Sequence, residues 1–132
     1  MNKIIVEVSI GELLDKITIL EIKLEKIKSP EKLKFISNEH SILKKELESN
    51  VLADDKLDDL FLSLKKINAK LWTIEDEKRQ CEKEKDFGEK FIKLSRDVHF
   101  LNDDRAKIKL EINNHSGSTI KEIKEYTNYR NK

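Results

Sequence analysis

Between Leu57 and Cys81 the apolar residues Leu57, Leu60, Phe61, Leu64, Ile67, Leu71, Ile74 and Cys81 follow one another at helical spacing, with neither glycine nor proline among them. A stripe of that kind lies on one face only if the chain is helical. Capped by Asp54 or Asp55 and running to about Lys85, the helix spans roughly 45 Å at the helical rise of 1.5 Å per residue. That exceeds the width of a small globule, so the chain has to be elongated and this helix has to be covered along its length.

The rest of the sequence supplies the cover. D-F-G-E at 86 to 89 reads as a tight turn, and the next stripe, Phe91, Leu94, Val98, Leu101, Ile108 and Ile112, ends at N-N-H-S-G-S near Asn114. Upstream, Ser9 and Glu12 have capping-box spacing before Ile10, Leu13, Leu14, Ile17, Leu20, Leu24 and Ile27. Ser29-Pro30 stops that helix and starts another, with Leu33, Ile36, His40, Leu43 and Leu47 on its stripe and an end near Glu48. K-I-I-V-E-V-S at the start reads as a short extended strand, and T-I-K-E caps a short last helix from Thr119 to about Tyr126.

The expectation is an all-α fold of elongated antiparallel helical hairpins, about four helices plus a short C-terminal helix, with a short N-terminal extended strand. One domain occupies 1–126, and 127–132 is a frayed tail. A lone strand leaves both backbone edges unpaired, so Lys3 to Val8 needs a partner: the C-terminal tail, or the same strand in a second subunit of a homodimer.

Charge narrows the function classes. Lys and Arg number 27 against 26 Asp and Glu, a net charge of +1, which gives no global field to draw in nucleic acid or anionic lipid. The single cysteine, Cys81, excludes an intrachain disulfide, and neither a signal peptide nor an apolar run of membrane-spanning length is present, which points to the cytoplasm and no membrane span. Dinucleotide, phosphate-loop, zinc-protease and paired C-x-x-C signatures are absent, and no cofactor is implied. Glu21 and Glu25 stand one turn apart, but no Glu precedes a histidine by three as di-metal bundles require, so they read as part of a wet face of alternating charge. His40 reads as a satisfied residue on an otherwise apolar stripe, and Cys81 as a small packing residue.

The informative charges interrupt the stripes. Arg stands only at 79, 96, 105 and 130, every other cationic side chain being Lys, and three of those four lie in the long hairpin. Unless codon usage alone sets that excess of Lys, Arg79, Arg96 and Arg105 occupy places that need a planar, multi-donor fork. Folding the hairpin about Phe87 brings Trp72 to Asn102, Ala69 near Arg105 and Ala106, Asp76 near Val98, and Arg79 near Ser95 and Arg96. A buried charge needs a partner, so Arg105 and Arg96 are expected against Glu75, Asp76 or Glu82. Two readings follow. Either these charges form an interhelical network that fixes register, or Trp72, Glu75, Asp76, Arg79, Arg96, Asn102, Arg105 and Lys109 line a pocket for an anionic small molecule.

In combination, G-E-L-L-D-K-I-T-I-L-E-I-K (11 to 23), L-W-T-I-E-D-E-K-R (71 to 79), D-F-G-E-K-F-I-K-L-S-R (86 to 96) and N-D-D-R-A-K-I-K-L-E-I-N (102 to 113), followed by G-S at 117 and 118, resemble a small uncharacterised family of bacterial proteins. The resemblance carries no catalytic residues. It implies proximity to genes for surface-polysaccharide assembly, and so sugar-phosphate or nucleotide-sugar chemistry. The function expected is a helical binding or adaptor module acting through charged helix faces on a protein partner or on itself. The alternative is a protein or enzyme that holds a phosphorylated sugar or nucleotide-sugar between the third and fourth helices.

Overall fold

The computed structural model describes residues 2–129; the last three positions of the tail expected over 127–132 lie outside them. Four helices, α1 (Ile10–Lys26), α2 (Pro30–Asn50), α3 (Asp55–Glu84) and α4 (Glu89–Ser116), make up an all-α fold. Their ends are set by the residues that the sequence places there. The Ser9 hydroxyl accepts from the Glu12 amide at 3.0 Å, Ser29 from Lys32 at 3.4 Å, and Asp54 from Leu57 at 2.7 Å. Lys85 takes a left-handed conformation (φ 57°) to end α3, and Gly117 (φ 69°) does the same for α4, which runs to Ser116, two residues past the expected Asn114.

Helix α1 is the centre of the molecule, packing against each of the other three. It is correspondingly the most buried, with Leu14, Ile17, Leu20 and Ile22 all closed to solvent. Helix α2 runs antiparallel to it, His40 meeting Glu21 at 3.2 Å and Leu47 packing against the core cluster that holds Leu14. Its backbone comes close to no helix but α1, and it buries no residue fully. Helices α3 and α4 form the long hairpin. Asp54 at the start of α3 meets His115 at the end of α4 at 2.9 Å, and Cys81 and Leu94 bury each side of the turn end. Leu57, Leu64, Leu14 and Ile112 join α1 to the open end of the hairpin in one cluster.

Two expectations fail. Residues 2–8 form neither strand nor helix, Ser9 just before α1 has an extended backbone (φ -69°, ψ 159°), and Ile4 and Ile5 are 91% and 85% exposed. A strand is defined by its pairing, and no second strand exists among the described residues. Thr119–Tyr126 is likewise not helical. So short a helix cannot hold itself in water, and its side chains are drawn to α4 instead: Lys121 donates to Asn114 at 2.8 Å and Glu122 receives Lys109 at 3.0 Å. The tail thus runs along α4, which also removes it as a partner for the N-terminal segment.

Close approach fixes how α1 meets α4. A Cβ on Gly11 would stand 2.6 Å from the Lys109 carbonyl oxygen and 3.0 Å from Asn113 Oδ1. The absent side chain lets Asn113 Oδ1 accept the Gly11 amide at 2.7 Å, while Ser118 Oγ takes the Ile10 amide at 3.2 Å. Two of the unsatisfied amides at the start of α1 are therefore capped by the end of α4 and the residues after it. Gly11→Ala is expected to destabilise the fold by about 1–3 kcal/mol through overpacking, although helix propensity alone would favour Ala by about 1 kcal/mol. Denaturant unfolding checks this against Gly88→Ala, whose added Cβ meets nothing closer than 3.4 Å and which should be near neutral.

Candidate functional site

The most unusual chemistry in the molecule is a cluster of charged and polar side chains inside the junction of α1, α3 and α4. On α1, Gly11, Asp15, Thr18 and Ile22 follow a helical line, and all four are buried. Asp15 therefore points where its neighbours Leu14 and Ile17 point, into the interior, and its residue is only 1% exposed.

A carboxylate in that position requires compensation, and three elements provide it. From α4, Arg105 donates through Nε to Oδ1 at 3.0 Å and through Nη2 to Oδ2, a two-point grip that suits the planar guanidinium. From α3, Asn68 donates through Nδ2 to Asp15 Oδ1 and to Thr18 Oγ1, each at 2.8 Å. Thr18 in turn donates its hydroxyl proton to the Asp15 carbonyl at 2.7 Å. Lys109, one turn beyond Arg105, places Nζ 3.7 Å from Asp15 Oδ2, 2.7 Å from Glu12 and 3.0 Å from Glu122 of the tail. Among the described residues the only buried side-chain oxygen or nitrogen without a partner is Ser116 Oγ, which lies outside this group.

The protonation states follow from those contacts. Burial pushes the Asp15 carboxyl up, but hydrogen bonds from Arg105 and Asn68 and the charges of Arg105 and Lys109 outweigh it and hold the group below the ordinary aspartate value. The Asp15 hydrogen bond raises Arg105 against its own burial. Burial draws Lys109 down, yet its bonds to Glu12 and Glu122 leave it above the usual lysine value. Hydrogen bonds from Lys109 and Lys124 lower Glu122. All four are charged at neutral pH, so none is poised to exchange a proton there as a general acid or base.

The residues expected to line a pocket are dispersed. Arg105 and Lys109 belong to the cluster, and Asn102 borders it, accepting from Arg105 Nη1 at 3.3 Å. Arg79 pairs with Glu75 one turn away on the exposed side of α3, at 2.8 Å. Arg96 lies over the Phe100 ring, 5.8 Å from its centroid, in place of the carboxylate expected for it. Trp72 is half-buried and Asp76 is exposed. The partner of Arg105 is thus Asp15 of α1, and neither Glu75, Asp76 nor Glu82. Reasoning confined to the hairpin could not reach it, because Asp15 lies 90 positions away in the chain.

The family of unknown function DUF6165 matches residues 4–130. The chain belongs to that family. No curated protein and no solved structure matches it. The family match spans the whole cluster, from Gly11 and Asp15 through Asn68 to Arg105, Lys109 and Ser118.

Two further features of this family member bear on function. Glu21 and Glu25, the pair weighed above for a cation, are held by Lys65 at 3.3 and 2.9 Å, with hydrogen bonding to Glu25 raising the lysine. No helix among the described residues is long and apolar enough to cross a membrane.

Asp15→Asn keeps the shape of the side chain and removes its charge, leaving Arg105 and Lys109 without their shared counter-ion. The expected cost is about 3 kcal/mol, at the lower end of the range for a broken buried pair, because the Arg105 side chain keeps 29% of its exposure. Acid sensitivity has a defined sign. With a folded value below the unfolded one of about 3.9, Asp15 contributes stability that is complete above pH 3.9 and is lost as pH falls through the folded value. Urea midpoints measured from pH 7 down to pH 2 should fall more steeply for the natural chain than for Asp15→Asn.

Proposed function

We propose that the chain is a helical binding module, acting through association with protein and not through catalysis. The observation that carries this reading is the exposed apolar segment Ile4, Ile5, Val6 and Val8, held out on a rigid body whose internal charges are already matched. A cluster in which Asp15, Arg105 and Lys109 satisfy one another has no group left over for a substrate, and it locks α1, α3 and α4 in one arrangement instead. Contiguous exposed apolar surface marks a contact site, and a backbone outside any helix that can extend offers hydrogen bonds as well. Phe35 and Ile42 on α2, 71% and 53% exposed, are further large apolar side chains open to solvent.

The alternative reading, a ligand with phosphate between α3 and α4, has one observation in its favour. An open groove of about 620 Å³ runs between these helices, floored by Ala69, Phe100 and Leu101 and flanked by Lys66 and Lys70. Those two lysines, and not Arg79, Arg96 or Arg105, would meet an anion there.

A photoreactive amino acid in place of Ile5 or Phe35 is expected to cross-link to protein in living cells far more than the same group in place of the exposed Lys107. In parallel, nucleotide-sugars, sugar phosphates and inorganic phosphate should leave the melting temperature unchanged. A ligand-dependent rise that Lys66→Ala/Lys70→Ala abolishes, without cross-links at Ile5 or Phe35, would replace the binding-module reading with the ligand reading.

A further inference from the structure

The N-terminal segment has an internal symmetry that says what it can pair with. In extended conformation Lys3, Ile5 and Glu7 point to one side and Ile4, Val6 and Val8 to the other. The segment leaves the body at Ser9, which is buried and caps α1, while the next amide is tied to Ser118. It is therefore anchored at one end and free along both edges. The tail, the other non-helical end of the chain, is engaged along α4 through Lys121 and Glu122.

We infer that Lys3–Val8 pairs with the same segment of a second copy of this chain, antiparallel and centred on Ile5. In that register Lys3 stands opposite Glu7 of the second copy, Glu7 opposite its Lys3, Ile4 opposite Val6, and Ile5 opposite itself. One face of the ribbon carries two ion pairs flanking an isoleucine pair, and the other carries two Ile4–Val6 pairs, with Val8 at each end opposite Asn2. Other registers lose this match. Parallel pairing in register sets Lys3 beside Lys3 and Glu7 beside Glu7, and like charges directly across a ladder are unfavourable. An antiparallel shift of one residue mixes the charged face with the apolar one, since every side chain changes sides. A shift of two leaves Lys3 opposite Ser9 or Ile5, and Glu7 without a cation. The contact is isologous, as a closed two-fold dimer requires. It rests on the reading of the chain as a binding module and names the partner.

A two-stranded ribbon is marginal by itself, and an interface well under about 1,000 Å² is transient, so the mass of the full chain in sedimentation equilibrium should rise with concentration from one copy towards two. Lys3→Glu and Glu7→Lys should each weaken dimerisation roughly tenfold or more, as two attractive pairs become repulsive. Combining them in one chain, Lys3→Glu/Glu7→Lys, should restore it. In a Cys81→Ala background, Ile5→Cys should oxidise readily to a covalent dimer, because residues directly opposite in an antiparallel pair have Cα atoms about 4.5–5.5 Å apart, within disulfide reach. Ile4→Cys should do so poorly alone and well when mixed with Val6→Cys. Circular dichroism should show unchanged helix in all of these variants, whose altered surface residues lie outside every helix. A chain that stays monomeric at all concentrations, or a dimer indifferent to the charge exchange, overturns the inference. If cross-links at Ile5 then capture a different protein, the binding-module reading stands and the second copy is wrong as its partner; if Ile5 and Phe35 capture nothing, both fail.

Discussion

The carboxylate of Asp15 is the point on which the three-helix junction depends. It is inserted among Leu14, Ile17 and the apolar residues of two other helices, where an unpaired charge would be prohibitive. Only one arrangement of α3 and α4 delivers Asn68, Arg105 and Lys109 to it together. Displacing α4 by a turn would put Arg105 out of reach and leave at least one charge buried without a partner, an error far costlier than an apolar misfit. The grip of Arg105 on both oxygens adds direction to distance, because a planar fork meets a carboxylate in few orientations. Replacing the whole set by well-packed apolar residues need not reduce stability. What the charges supply is discrimination among the ways in which long, similar helices can slide past one another.

Around that point the ends of the helices are fitted to one another. Gly11 lets α1 approach the backbone of α4 closely enough for Asn113 and Ser118 to take up the amides that α1 cannot satisfy itself. Asp54 caps α3 and meets His115 on α4, so the first turn of one helix is tied to the last turns of the other. The hydrogen bond from the Leu57 amide, with His115 beside it, holds Asp54 below the usual carboxylate range. These contacts gather at the open end of the hairpin. Helix α2 has no comparable tie: its polar link is His40 to Glu21, and Glu21 also faces Lys65 of α3. Its attachment is thus the loosest of the four, which agrees with its lack of any fully buried residue.

Much of this was legible residue by residue. Ser9, Ser29-Pro30 and Asp54 mark helix starts by a local rule, a side-chain oxygen reaching the amide three positions on, and local rules can be applied without a fold. The long stripes gave the hairpin for the same reason. That Arg105 interrupts a stripe and needs a carboxylate was legible as well, but not which one, since the hairpin offers three acids nearby and nothing local points to α1. The signal lay in α1 itself: Gly11, Asp15 and Thr18 make a line of small and polar residues at helical spacing, adjoining the apolar face, where Glu21 and Glu25 sit further round. A carboxylate on a helix rich in charge is ordinarily expected to face water, and that expectation hides Asp15 among the acids of α1. The N-terminal strand failed on a different ground. β-branched residues state a preference for extended backbone, whereas a strand also needs a second edge, and one chain does not hold it.

Internal neutralisation also bears on where function can reside. A catalytic or ligand-binding cluster usually leaves something unsatisfied, a charge or donor that the substrate completes. Here the tail supplies even the last counter-charge, as Glu122 closes over Lys109 while Lys124 balances Glu122. The unsatisfied groups are instead backbone amides and carbonyls beside apolar side chains, at the N-terminus, where no helix covers them. Rigid charge inside and open edge outside are complementary: the first holds the body in one shape, and the second would cost conformational entropy on binding only over the few residues ahead of Ser9. The N-terminal segment thus leaves the body from a fixed anchor at Ser9.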